Sequence, residues 1–275
     1  MSPLVGERPV LAPFSTQLKG QFAYHLSVLL RTPRAVVGGA LLPIMLLFLR
    51  SDSGHSTALA QAQLVAGLAV FGAVSTAYIT HTSSLIAARQ AGVLKRWRAT
   101  PLPPACYLGA RIAATTLLAA AGGVLTALAG SAGYSVHMSP GTLAYLLLVL
   151  LLGAAAWASI GTAVSAMIPT VDAAWPILAV TYLPIVVLSG GFGAVSAEPG
   201  WLATIVGCLP VQPMVHSATV ALHATTGGPV ISNGDLAVLA AWAAAGLIVA
   251  QRWFRWAPRV PGRGRAGVPR PYSRT

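Results

Sequence analysis

The lysines are the first residues to test for chemistry, because a chain that hydrolyses nucleotides holds their phosphates in a G-x-x-x-x-G-K-[ST] loop. The sequence contains two lysines, Lys19 and Lys95. Leu18 and Leu94 precede them, at the position where that loop requires glycine. The sequence therefore excludes nucleotide hydrolysis by this route.

Carboxylates and histidines are the residues that could carry acid–base or metal chemistry. The acids all lie outside the apolar segments: Glu7, Asp52, Asp172, Glu198 and Asp235. There is no H-E-x-x-H pair and no Cys or His spacing typical of zinc. An intramembrane enzyme or an ion-coupled transporter is disfavoured, since such proteins hold ionisable groups within their spans. An intramembrane enzyme remains the alternative interpretation, and it would use His81, in an apolar segment, or His216 and His223 further along the chain.

The segments that must position these residues are apolar helices. Charged residues make up 8% of the 275 residues, against about 25% in soluble domains, and the mean hydropathy is +0.73. Turn residues and charges divide the apolar sequence into stretches close to the ~20 residues that cross a bilayer. We predict an all-α integral membrane domain over residues 34–256, with six transmembrane helices at 34–49, within 59–88, and at 107–130, 142–168, 173–192 and 236–254.

The N-terminal segment, residues 1–33, is predicted to be a cytoplasmic arm followed by an interfacial helix. Apolar residues recur every four positions and so share one helical face: Phe14, Leu18, Phe22, Leu26 and Leu30. Lys19, Gln21 and His25 lie off that face. A helix of this pattern is typical of the membrane interface.

The basic residues predict the orientation of the chain. Sixteen of the seventeen Lys and Arg residues fall on one side of the six-span arrangement, and only Arg50 falls on the other. Basic residues near spans are retained in the cytoplasm, so both termini are predicted to be cytoplasmic, including a basic, disordered tail at 257–275. The net charge of +12 is therefore interpreted as topology and contact with anionic lipid, and not as nucleic-acid binding.

One further apolar stretch, 201–222, lies between the fifth and sixth spans. A seventh span here would move the basic tail outside, against the charge bias. Pro210 and Pro213 would also interrupt a spanning helix. We therefore predict an outer re-entrant helix pair.

The loop between the second and third spans reads as a short amphipathic helix. Val93, Leu94 and Trp97 share one face, and basic residues occupy the rest: Lys95, Arg96 and Arg98. Gly92 and Pro101 bracket the segment. Such a helix suits docking to a protein or to the membrane, and a simple stop-transfer charge cluster is the alternative.

The full loop pattern, R-x-x-G-V-L-K-R-x-R-A-T-P-L-P, resembles the cytoplasmic loop of type-2 ABC exporter permeases, which include drug and antibiotic efflux permeases. A second similarity comprises the sequence Leu-Ser-Gly-Gly-Phe at 188–192, Glu-Pro-Gly-Trp-Leu at 198–202, and Pro210. The resemblance implies a bacterial plasma-membrane permease that pairs with a second permease copy or a paralogue. It also implies a separate ATP-binding subunit that holds ATP and Mg²⁺, whereas this chain carries no cofactor. The ATPase-coupling role would then fall to Gly92, Leu94, Lys95, Arg96, Trp97, Arg98 and Pro101.

The translocation path is only weakly marked. Polar residues approximate one face of the second span: Ser75, Tyr78, His81 and Thr82. They could line a path between protomers for a drug-like, antibiotic or lipid-like substrate. The alternative is that they form interhelical hydrogen bonds, which contribute about 0.6–2 kcal/mol each. A third interpretation of the whole chain is a non-catalytic membrane anchor.

Overall fold

The computed structural model describes residues 13–49, 57–93, 96, 102–134, 136–188, 209–224 and 231–253. These residues are helical with no β-strand, which confirms the predicted all-α class. The helices are α1 (Phe14–Leu30), α2 (Pro33–Leu49), α3 (Ala58–Gln90), α4 (Pro104–Gly133), α5 (Pro140–Ser165), α6 (Val171–Leu188), α7 (Val211–His223) and α8 (Asn233–Trp253).

Four of these helices, α3, α4, α5 and α8, are each long and apolar enough to cross a membrane within the described ranges. They coincide with the second, third, fourth and sixth predicted spans. The pair formed by α1 and α2 meets the same criterion as one bent unit, with an angle of 81° between the two helices. The chain therefore carries four or five candidate spans in its described part. The exact six-span arrangement stays a prediction.

Helix starts follow the local sequence. Ser139 caps α5, because its hydroxyl accepts a hydrogen bond from the Thr142 amide at 3.1 Å, and Pro140 occupies the first helical position. Thr57 caps α3 in the same way through the Ala60 amide. The helices pack with α3, α4 and α5 at the centre, α8 against α5, and α7 against both α3 and α5.

The closest backbone approach joins α2, α3 and α4. Pro43 lacks an N–H, so the Gly39 carbonyl four residues earlier cannot accept the usual helical hydrogen bond, and residues Val37–Leu41 form a π-helical turn. This carbonyl faces glycines of both neighbours. A Cβ atom on Gly122 would lie 2.6 Å from the Gly39 oxygen, and one on Gly72 would lie closer still. Any side chain at Gly72 or Gly122 would therefore force α2 away from its neighbours.

The apolar face of α1 differs from the predicted one. His25, expected off that face, is buried together with Leu29, whereas Phe14 and Leu30 are about half exposed. The reason is tertiary: α1 packs along α4, and the His25 ring meets the edge of Tyr107 at a centroid distance of 5.0 Å. The placement of α1 in the membrane interface stays a prediction.

The segment between the fifth and sixth predicted spans is partly described. It contains α7, a helix of 13 residues that packs against α3 and α5. Pro210 precedes α7, and Pro213 lies in its first turn. Amides in the first turn of a helix make no hydrogen bond within the helix, so a proline there removes none. Pro213 thus does not interrupt the helix. Residues 189–208, which carry the first half of the predicted pair, lie outside the described residues.

Candidate functional site

The loop between α3 and α4 begins at a helix terminus fixed by glycine. Gly92 has a φ of 70°, a left-handed conformation that favours glycine, and its amide donates to the Arg89 carbonyl at 3.2 Å. The Arg96 amide then donates to the Gly92 carbonyl at 3.3 Å, which is one helical turn. The other predicted coupling residues lie outside the described residues: Leu94, Lys95, Trp97, Arg98 and Pro101.

Arg89, one turn before that glycine, ties the end of α3 to the end of α5. Its side chain is buried, and the guanidinium donates to the carbonyl of Ser165 at 2.8 Å and to the carbonyl of Ile168. The last carbonyls of a helix have no intrahelical partner, and a cation near them is favoured by the helix dipole. Arg89 therefore caps α5 from a neighbouring helix.

Gln90 extends this contact to α6. Its side-chain oxygen accepts a hydrogen bond from the Val171 amide at 3.3 Å, at the first residue of α6. Arg89 and Gln90 thus hold the connection between α5 and α6, residues 166–170, against the base of the loop.

A large cavity lies between α2, α3 and α6. Its volume is about 640 Å³, and apolar side chains form most of its wall: Leu42, Phe71, Trp175, Tyr182 and Leu183. Arg34 and Ser75 are among its polar lining residues. The neighbouring faces of α2 and α6 expose large apolar side chains, including Met45 and Trp175. Exposed apolar side chains therefore lie next to the cavity.

The four predicted path residues do not act as one surface. Ser75 lines the cavity, but Tyr78, His81 and Thr82 are buried within the chain. The Tyr78 hydroxyl contacts the Thr181 hydroxyl of α6 at 3.0 Å, and Thr82 packs against Gly161 of α5. Tyr78 thus makes an interhelical hydrogen bond of the kind given as the alternative, whereas Thr82 contributes packing only.

His81 is held by two threonines from different helices. The Thr162 hydroxyl donates to the Ala158 carbonyl at 2.9 Å, so it accepts from Nε2–H of His81, also at 2.9 Å. This assigns the proton to Nε2, and Nδ1 then accepts from the Thr115 hydroxyl at 2.9 Å. Both ring nitrogens are used and the residue is 1% exposed. His81 is a structural link between α3, α4 and α5, and its role in the alternative enzyme interpretation stays a prediction.

His216, one of the histidines named in the alternative interpretation, pairs with a carboxylate. Nδ1 of His216 lies 2.7 Å from a carboxylate oxygen of Asp235, and the Ser217 hydroxyl donates to the same oxygen at 2.8 Å. Asp235 lies in the first turn of α8, where an acid is favourable. This pair joins α7 to α8. The described residues contain no cluster of three His, Cys, Asp or Glu side chains that could hold a metal ion.

A family comparison identifies the membrane domain that these helices build. Residues 22–223 match the family described as ABC-2 type transporter. The chain belongs to this family. The match runs from within α1 to the end of α7 and so includes the loop, the large cavity and the Arg89 contact. The predicted resemblance is confirmed.

Membership of the ABC-2 type transporter family makes the chain a multi-pass membrane permease, the transport component of an ABC transporter and not itself the catalytic enzyme. A comparison with curated proteins gives no match. The family match gives no substrate class. The side chains that line the large cavity therefore indicate the class of substrate.

Proposed function

We propose that this chain is the six-span permease subunit of an ATP-driven exporter in a bacterial plasma membrane, with both termini in the cytoplasm. One observation carries the proposal: Arg89 and Gln90 connect the base of the cytoplasmic loop to the ends of α5 and α6. The helix α6 also lines the large cavity. A force applied to the loop therefore reaches the cavity wall through direct contacts.

A separate ABC ATP-binding subunit would supply that force. The chain lacks a phosphate-binding loop, so ATP and Mg²⁺ are assigned to the partner. The apolar side chains of the loop, Leu94 and Trp97, would fill a pocket on the ATPase. Basic residues would surround that contact: Lys95, Arg96 and Arg98. In this arrangement, Gly92 and Pro101 set the two ends of the coupling helix.

The large cavity is the substrate path in this proposal. Its apolar wall suits an amphiphilic molecule, whether a drug, an antibiotic or a lipid. The exposed apolar residues beside it, Met45 of α2 and Trp175 of α6, would face a second permease copy or a paralogue. A dimer would then enclose the path between its two subunits. A simple membrane anchor would need neither the cavity nor the Arg89 connection.

Cysteine labelling in intact cells tests the proposal, because ATP is cytoplasmic and the coupling loop must be on that side. In a background with Cys106 and Cys208 replaced by serine, a membrane-impermeant thiol reagent should label Gly133→Cys, at the outer end of α4. It should not label Arg96→Cys in the loop or Gly264→Cys in the tail until the membrane is permeabilised. Arg96 and Gly133 are both exposed, so differences in burial do not explain the pattern.

Labelling of Arg96→Cys in intact cells would exclude the coupling function. Labelling of Gly264→Cys alone would leave the loop inside but would replace the six-span arrangement by a seven-span one.

A further inference from the structure

A second, smaller cavity lies between α1, α3 and α4. Its volume is about 190 Å³, more than ten times the ~10–15 Å³ that one bound water needs. Its wall includes Tyr24 and Val28 of α1, Ser84 of α3, Val93 at the start of the loop, and Arg111 of α4. Its wall shares Thr32, Thr80 and Ser84 with the large cavity, whereas Tyr24, His25 and Arg111 line only the smaller one.

Arg111 brings a positive charge to this cavity without a neutralising acid. Its guanidinium donates to the Tyr107 hydroxyl and to the Ser84 hydroxyl, both at 2.8 Å. A guanidinium has five N–H donors, so these two bonds leave three. Among the described residues no carboxylate forms an ion pair with Arg111. A charge at this position, partly removed from water, would be stabilised by an anionic partner.

The residues that line the cavity include polar groups that can contact an anion, but no acidic side chain. Nε2 of His25, a residue that is 95% buried beside Arg111, has no hydrogen-bond partner in the described part of the chain. Hydroxyl groups complete the polar wall, including those of Tyr24 and Thr80. A ligand with several acceptor oxygens could therefore accept bonds from Arg111 and from the hydroxyl groups together.

The depth of the cavity indicates the source of such a ligand. Arg111 lies seven residues after Pro104, about 10 Å along α4 at 1.5 Å per residue. In the proposed orientation Arg111 lies about one helical turn inside the predicted third span, which begins at 107, and its long side chain can reach the inner layer of lipid headgroups. At the rim, Tyr24 and Val28 are about half exposed. They would face the acyl chains of a bound lipid.

We propose that this cavity is a binding site for the phosphate group of an anionic phospholipid, with Arg111 as its principal contact. The assignment to the inner leaflet rests on the proposed orientation of the chain, whereas the binding of lipid to this cavity does not. Because Val93 also lines the cavity, a bound headgroup would lie beside the first residues of the coupling loop. The lipid would then hold α1, the end of α3 and the loop together.

Native mass spectrometry of the purified chain tests the site. In mixed phosphatidylglycerol and phosphatidylcholine micelles, the wild type should retain phosphatidylglycerol preferentially. The Arg111→Gln variant should bind it about tenfold more weakly, the loss expected for one charged hydrogen-bonding contact. The control is Arg31→Gln, which removes the same charge from an exposed residue outside the cavity, and it should bind as the wild type does.

A second variant keeps the test valid if Arg111→Gln does not fold. The Val28→Trp side chain would fill the cavity from the exposed rim and leave Arg111 in place, and it should abolish preferential retention. Equal retention of both lipids by the wild type, or unchanged retention in the folded variants, would overturn the proposal. Displacement of the lipid by millimolar inorganic phosphate would instead show a site for a soluble anion and overturn the lipid assignment.

Discussion

Replacing Arg89 by alanine should abolish the stimulation of ATP hydrolysis that the permease gives to its ATPase partner. A hydrogen bond from a charged donor contributes about 1.5–3 kcal/mol, and Arg89 donates to two carbonyls, those of Ser165 and Ile168. The expected loss is about 3 kcal/mol or more in the contact that joins α3 to α5. A coupling free energy of that size corresponds to about two orders of magnitude. The measurement is the rate of ATP hydrolysis of the assembled complex in proteoliposomes.

Two variants separate coupling from general destabilisation. Gln90→Ala removes one neutral bond to α6 and should cost about 0.5–1.5 kcal/mol. Arg89→Lys keeps the charge but lacks the planar fork that reaches two carbonyls, so it should be intermediate. The Arg89→Ala complex should still assemble. Full stimulation by assembled Arg89→Ala would show that the loop acts through another route.

Replacing Trp97 by alanine should weaken assembly with the ATPase. If Trp97 fills a pocket on the partner, its truncation should cost ~2 kcal/mol or more, about thirtyfold in affinity. The measurement is a pull-down of the ATPase at several concentrations, after normal membrane levels of the variant are verified.

The basic residues of the loop provide the comparison for Trp97. Arg96→Gln and Arg98→Gln should cost less, because charges at a solvated rim contribute little, and their effect should shrink at high salt. Under the alternative interpretation, the basic residues of the loop are a stop-transfer cluster that only fixes the orientation of the chain in the membrane. Wild-type assembly and hydrolysis by Trp97→Ala would support that alternative.

The sequence predicts the membrane helices well because hydropathy is a local property. The predicted spans at 59–88, 107–130 and 142–168 differ from α3, α4 and α5 by only a few residues at each end. The buried face of α1 could not be predicted in the same way. It depends on α4, which packs against His25 and Leu29.

The position of the loop could be predicted from the sequence, but the contacts that its neighbouring side chains make could not. The motif that begins at Arg89 marks the loop, but it does not show what Arg89 contacts, and Arg111 counts only as a topological charge in the sequence. Their roles depend on partners distant in the chain, such as Ser165 for Arg89, 76 residues away. His81 likewise lies 34 and 81 residues from its two threonine partners. Polarity on one face of α3 therefore could not distinguish a pore from an interhelical link.

The most direct test of the account is ATP hydrolysis by the chain with and without its ATPase. Purified alone and reconstituted in lipid, the chain should hydrolyse no ATP above a lipid blank. Addition of the ATP-binding subunit should produce a stable complex whose hydrolysis exceeds that of the subunit alone. Hydrolysis by the isolated chain, or the absence of any complex with an ATP-binding subunit, would contradict the account.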